Sequence, residues 1–187
     1  MRFDEFIEQR GLAVFPVDRF AGLVVGVGLP RGWEPFDSAV GVRVWAWRAD
    51  PYIDVFCANA VLTMHRVEAL LDPAEVFAML SEQQLYAAPK CHELHRQIAA
   101  ATEGAGIGGT LAMQIEHELG TIDSATHSRI ITAEQETLIA QLTITARRDS
   151  PVDRANIWLQ ARSGPATNPA LASHHGGPVS RTREGQR

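Results

Sequence analysis

The stretch NAVLTMHRVEALLDPAEVF (59–77) decides the fold, because it joins a strand directly to a helix. Its first half belongs to Val55–Val67, a segment free of Gly and Pro and β-branched in places, which reads as a strand. The second half changes character at Asp72-Pro73-Ala74-Glu75. Asp72 can cap a helix, Pro73 fits the first helical position, and Glu75 suits the positive end of the helix dipole. Val76, Phe77, Leu80 and Gln84 then share one stripe, Ala87 and Ala88 close it, and Pro89 stops it.

Upstream, Phe3, Phe6, Ile7 and Arg10 stand at helical spacing and predict a turn or two of amphipathic helix. Leu23-Val24-Val25-Gly26-Val27 is a continuous apolar, strand-sized run, and it breaks at the turn signal Leu29-Pro30-Arg31-Gly32-Trp33. From Val40 to Trp47 the chain alternates: Val40, Val42, Val44 and Ala46 point one way, Arg43, Trp45 and Trp47 the other. The valine side is the expected core. The Arg43, Trp45, Trp47 side is expected either to lie under a helix, with Phe77 and Leu80 as neighbours, or to form a binding surface, since two tryptophans are rarely left in water. Trp33 is expected to anchor the core after the turn.

Downstream of the helix, period two returns. His92, Leu94, Arg96, Ile98 and Ala100 alternate with Glu93, His95 and Gln97, a Gly-rich turn spans 103–109, and Leu111, Met113, Ile115, His117 and Leu119 predict a half-buried strand. Ser128–Ala133 and Leu138–Arg147, joined through Glu134-Gln135-Glu136, read as a hairpin. Asp149-Ser150-Pro151 then opens an expected short helix, with Val152, Ala155, Asn156 and Leu159 on one face. The order β-β-β-α-β-β-β-β-α implies an α+β fold: a mostly antiparallel β-sheet with flanking helices.

Composition narrows the function classes. The 187 residues suit one domain with a tail, and two cysteines, Cys57 and Cys91, are too few for a disulfide scaffold. From Ser163 onward Gly, Pro and Ser dominate, and Leu171 and Val179 are the only aliphatic side chains larger than alanine, so 163–187 is expected to be a disordered tail. The organisation read from the sequence is an N-terminal extension with a short helix (1–21), a domain (22–162) and that tail. The net charge is −5, and −7 without the tail, which argues against nucleic-acid binding. The first residues, with Asp4, Glu5 and Glu8, do not read as a signal peptide, and no lipid-attachment cysteine is expected there. No run of about 18 apolar residues exists to span a membrane. A cytoplasmic location is expected.

The motifs that suggest chemistry are weak. The glycines at 104–109 lack the lysine and following helix of a phosphate loop. Cys91-His92-x-x-His95 has ligand types in short spacing, but on a strand His92 faces away from Cys91 and His95. The tail pair His174-His175 carries no metal expectation either. No metal and no cofactor are expected. In Glu116-His117-Glu118 the histidine is expected on the apolar face with Met113 and Ile115, buried and hydrogen-bonded. Cys57 is expected to be an inert apolar group within its strand.

Four segments resemble the actinobacterial LpqN/LpqT lipoprotein family, itself similar to PsbP-like proteins. They are GVGLPRGWEPFD (26–37), NAVLTMHRVEALLDPAEVF (59–77), GAGIGGTLAMQIEHEL (104–119) and LTITARRDSP (142–151), and the match spans roughly 22–162. The resemblance implies a curved antiparallel sheet in a PsbP-like α-β-α sandwich and no established enzymatic activity, so no catalytic residue is carried over. Family members are mainly envelope lipoproteins, and this chain is expected to depart from them, since its first residues do not read as a lipoprotein signal.

The expected function is therefore a non-enzymatic binding or interaction protein. Its partner would be a protein or a small apolar ligand, with Arg43, Trp45 and Trp47 as candidate binding residues. The alternative is a hydrolase-like enzyme using the His and Glu residues around 91–118.

Overall fold

The computed structural model describes residues 1–101 and 106–164. In chain order its elements are α1 (Phe3–Arg10), β1 (Val14–Pro16), β2 (Leu23–Gly28), β3 (Trp33–Ala39), β4 (Val42–Trp47), β5 (Asn59–Val67), α2 (Pro73–Ala87), β6 (Cys91–Ala100), β7 (Ile107–His117), β8 (Gly120–Ala133), β9 (Glu136–Arg147) and β10 (Trp158–Ser163). The calls on the tail beyond Gly164, including His174 and His175, lie outside the described residues, as does part of the Gly-rich turn.

One antiparallel sheet organises the molecule, with strand order β3-β4-β5-β9-β8-β7-β6. The interior strand β5 pairs with the central strand β9 along its whole length. Its other edge is shared: β4 takes Asn59–Thr63 and β1 takes His65–Val67. The segment before residue 22 thus supplies a strand to the main sheet. The Glu134-Gln135 turn joins β8 to β9 as the hairpin the sequence predicts, with Ala133 opposite Glu136. The α+β class is the observed one.

The two faces of the sheet are closed differently. On one face, α2 begins as its sequence dictates: the Asp72 carboxylate accepts the Glu75 N–H at 2.9 Å. Its buried Val76, Phe77 and Leu80 pack with Phe3 of α1 and with Val67, Ile130 and Ile139 of the sheet. Ser124, Thr126 and Ser128 of β8 also lie on this face, all buried. Their hydroxyls need partners there, and two cross-strand bonds supply some: Thr126 Oγ1 to Thr143 Oγ1 at 3.0 Å, and Gln141 Nε2 donating to Ser128 Oγ at 3.1 Å.

On the opposite face β2 and β10 pair into a two-stranded antiparallel ribbon. Phe20, Ile157, Leu159 and Ala161 from this layer pack against Leu62, Leu142 and Ile144 of the sheet. Each fully buried aliphatic side chain here contributes about 1.5–3 kcal/mol.

Three expectations are corrected. The segment after Pro151 forms only a 3-10 turn, Arg154–Asn156, and then strand β10. Pairing with β2 outweighs the helical spacing of Val152 and Leu159, because Leu159 and Ala161, opposite Val27 and Val25, gain burial only as a strand. The turn at 29–33 leads into β3, an edge strand whose Pro35 and register shift before Asp37 are tolerated because one edge has no partner. Finally, β8 starts at Gly120, not Ser128; its polar first half lacks an apolar alternation to announce it.

Candidate functional site

In antiparallel pairs, residues directly opposite share a face. Arg43 pairs with Leu62 and Trp45 with Ala60, so Arg43, Trp45 and Trp47 point toward the ribbon and not toward α2. The expected helix cover with Phe77 and Leu80 is therefore corrected: those two side chains lie in the core on the other face of the sheet. Trp33, Trp45 and Trp47 are half-buried and pack together against the ribbon-side core. Trp33 is thus a packing residue at the rim of that core, opposite Trp47 in the β3–β4 pairing.

Arg43 is separated from the tryptophans in environment. It is exposed and lines a groove of about 470 Å³ between the 18–25 segment and the sheet. Phe20, Leu23, Val25 and Met64 supply apolar walls, and Arg19 contributes a second guanidinium. The one acid in the lining, Asp18, is occupied: its Oδ1 accepts the Gly41 N–H at 3.0 Å. Neither Arg19 nor Arg43 has an acidic partner within salt-bridge distance among the described residues. The groove thus combines apolar side chains with two arginines and one carboxylate. Arg43 was legible in the strand alternation. Arg19 and Phe20 were not, because they reach the groove through the Phe20–Leu23 bridge.

The histidine- and glutamate-bearing region 91–118 is arranged differently. His92 and His95 are exposed on edge strand β6, and His95 Nε2 meets the Gln97 side chain at 3.3 Å. Glu93 is held by Arg96 through two contacts of 3.1 and 2.6 Å, and Arg96 also reaches Glu82 at 2.9 Å. His117 is exposed, contrary to its expected burial; β7 ends there, and its Nδ1 accepts the Leu119 N–H at 3.2 Å, closing the turn to β8. The carboxylate of Glu116 accepts instead from Thr121. Among the described residues the hydrogen bonds of His95 and His117 thus involve no carboxylate.

Both cysteines are free and half-buried. Cys57 lies just ahead of β5, and burial pushes its thiol pKa up, against nucleophilic use. Cys91 donates to the Leu85 carbonyl at 3.3 Å. No group of three or more His, Cys, Asp or Glu side chains with metal-binding geometry occurs among the described residues. No helix among them is long and apolar enough to cross a membrane.

The chain matches no protein-family model, and no curated protein matches it. Among solved structures it is similar to LpqN, involved in cell envelope biogenesis of Mycobacterium tuberculosis. That likeness has 17% identity and a TM-score of 0.65, and covers 80% of this chain and 87% of LpqN. It is more distantly similar to the Saccharomyces cerevisiae Ran-binding protein Mog1p, at 11% identity and a TM-score of 0.42, over 67% of this chain and 74% of Mog1p. The fold is thus that of LpqN.

Proposed function

We propose that this chain is a non-enzymatic binding protein of the LpqN type, and that the Arg43 groove takes a small amphiphilic anion. The observation that carries this reading is the pairing of apolar lining residues with two arginines that have no salt-bridge partner among the described residues, against a single carboxylate, Asp18. Phe20, Leu23, Val25 and Met64 desolvate an apolar body, while Arg43 and Arg19 meet its charge; the arginine fork suits a carboxylate, sulfonate or phosphate. In a chain with a net charge of −5, such an opening attracts an anion only through its local charges, which gives them a selective role. The LpqN likeness supports the fold side of this reading; the anionic chemistry rests on the groove itself.

A fluorescence titration with 1-anilinonaphthalene-8-sulfonate, an apolar anion, tests it. Saturable enhancement that weakens at least fivefold in Arg43→Gln, with an unchanged melting temperature, is the expected result. Equal enhancement in the two proteins contradicts it.

A further inference from the structure

A second polar groove, of about 280 Å³, lies on the ribbon side of the sheet near the far edge, bounded by β6, β7, β8 and the start of β10. Its lining includes Gln97, Thr110, His127 and Arg129, with Leu159 beyond. Among the described residues no Asp or Glu lines it.

Two of these side chains are held in place by the fold. The Arg129 Nε donates to the Leu159 carbonyl at 3.3 Å, tying the guanidinium to β10. One terminal nitrogen lies over the β7 backbone, 3.1 Å from where a Cβ of Gly108 would stand, so the glycine leaves the guanidinium its seat. Arg129 has no acidic partner within salt-bridge distance among the described residues. The neighbouring imidazole is oriented too: Nδ1 of His127 meets the Thr110 hydroxyl at 3.5 Å. That leaves Nε2 without a hydrogen-bond partner among the described residues.

A positioned guanidinium with free N–H donors, an imidazole nitrogen, and an amide from Gln97 surround a space that no carboxylate lines among the described residues. We propose that this groove is a second ligand site that binds a small oxyanion, a carboxylate or a phosphate, through the Arg129 fork with His127 and Gln97 completing the contacts. Arg129 supplies the charge-assisted bonds, and its tether to Leu159 fixes the fork before the ligand arrives. The site lies apart from the Arg43 groove, shares no lining residue with it, and stands or falls independently of it.

The test is a titration of the full chain with inorganic phosphate and, separately, with acetate, followed by the ¹H–¹³C resonances of the His127 imidazole. Saturable shifts at His127 with one or both anions are expected, and the stronger of the two identifies the oxyanion. Arg129→Gln should weaken binding at least tenfold, and Arg129→Lys less, because charge survives while the fork is lost. Since Arg129→Gln also removes a tether to β10, Gln97→Ala serves as a second variant that leaves that tether intact and should weaken binding two- to fivefold. Absence of saturable shifts at His127 with both anions overturns the proposal. Shifts of equal midpoint in the wild type, Arg129→Gln and Gln97→Ala overturn it as well.

Discussion

The ring of Phe77 on α2 rests directly on the backbone of Gly109 on β7, where any Cβ would overlap it. This contact sets how closely the helix approaches the sheet, because Phe77 is among the buried side chains of that core. Gly109→Ala should therefore destabilise the chain by about 1–3 kcal/mol, the usual cost of overpacking. Combining it with Phe77→Leu should recover part of the loss relative to the sum of the two single changes. Urea denaturation of the four proteins measures this, and strict additivity would show that the ring and the glycine are not in contact.

A buried carboxylate ties two loops together beside the tryptophans. Asp50 accepts the Ala58 N–H at 2.8 Å, the Tyr52 N–H at 3.0 Å and the Ser150 hydroxyl at 3.2 Å. It is only 3% exposed, so its removal strands three donors where water reaches them poorly. Asp50→Ala should cost at least about 2 kcal/mol. Ser150→Ala, which deletes one partner and leaves the carboxylate two others, should cost about 1 kcal/mol. Thermal unfolding midpoints that move equally for the two variants would contradict this ranking.

Burial lowers the pKa of both His65 and His127 from the ordinary value of 6.5. A histidine with a depressed folded-state pKa binds fewer protons folded than unfolded. Its contribution is absent above the unfolded value and becomes a penalty as pH falls below about 6.5 toward the folded value. Stability should thus rise with pH across this window, before the carboxylates titrate. The slope should flatten in His65→Gln and again in His65→Gln/His127→Gln. A wild-type stability that is flat between about pH 5 and 6.5 would contradict the assignment.

Much of this architecture is written locally. Asp72, Pro73 and Pro89 bracket α2 because capping and proline effects act within a few residues, and the alternation through Leu111 and Met113 marks β7 for the same reason. The misread elements depend on distant partners. β10 is a strand because β2 offers it a mate, and the indole of Trp158 lies over Gly26 and Gly28, where nothing in the local apolar run announces it. β3 carries Pro35 and Asp37, which local propensity counts against a strand, and it forms on the free edge of β4. The candidate site divides in the same way. Strand alternation placed Arg43 with Trp45 and Trp47 correctly on one face, but what covers that face was a tertiary fact: the ribbon closes over the tryptophans and stops short of Arg43. His127 sat in a polar stretch without periodic signal and gained its neighbours only when β6, β7 and β8 paired.

The tryptophans act in packing, so their truncation should read as stability and not as lost binding. Trp45→Ala should cost about 2–4 kcal/mol, somewhat below a fully buried tryptophan because it is half-buried. Intrinsic fluorescence with iodide as quencher should find Trp158, 42% exposed, more accessible than Trp33, Trp45 or Trp47. Single-tryptophan variants separate the signals, and a fully accessible Trp45 would contradict the packed arrangement.

The central claim, an amphiphilic-anion site at the Arg43 groove, is tested most directly by ¹H–¹⁵N correlation spectra of the full chain. Decyl sulfate, and separately uncharged decyl maltoside, would be added below their micelle concentrations. The account predicts saturable shifts centred on Arg19–Val25 and Arg43 with decyl sulfate, at least fivefold weaker with decyl maltoside, and at least fivefold weaker for decyl sulfate in Arg43→Gln. Equal midpoints for the two amphiphiles, or shifts centred elsewhere on the sheet, would contradict it.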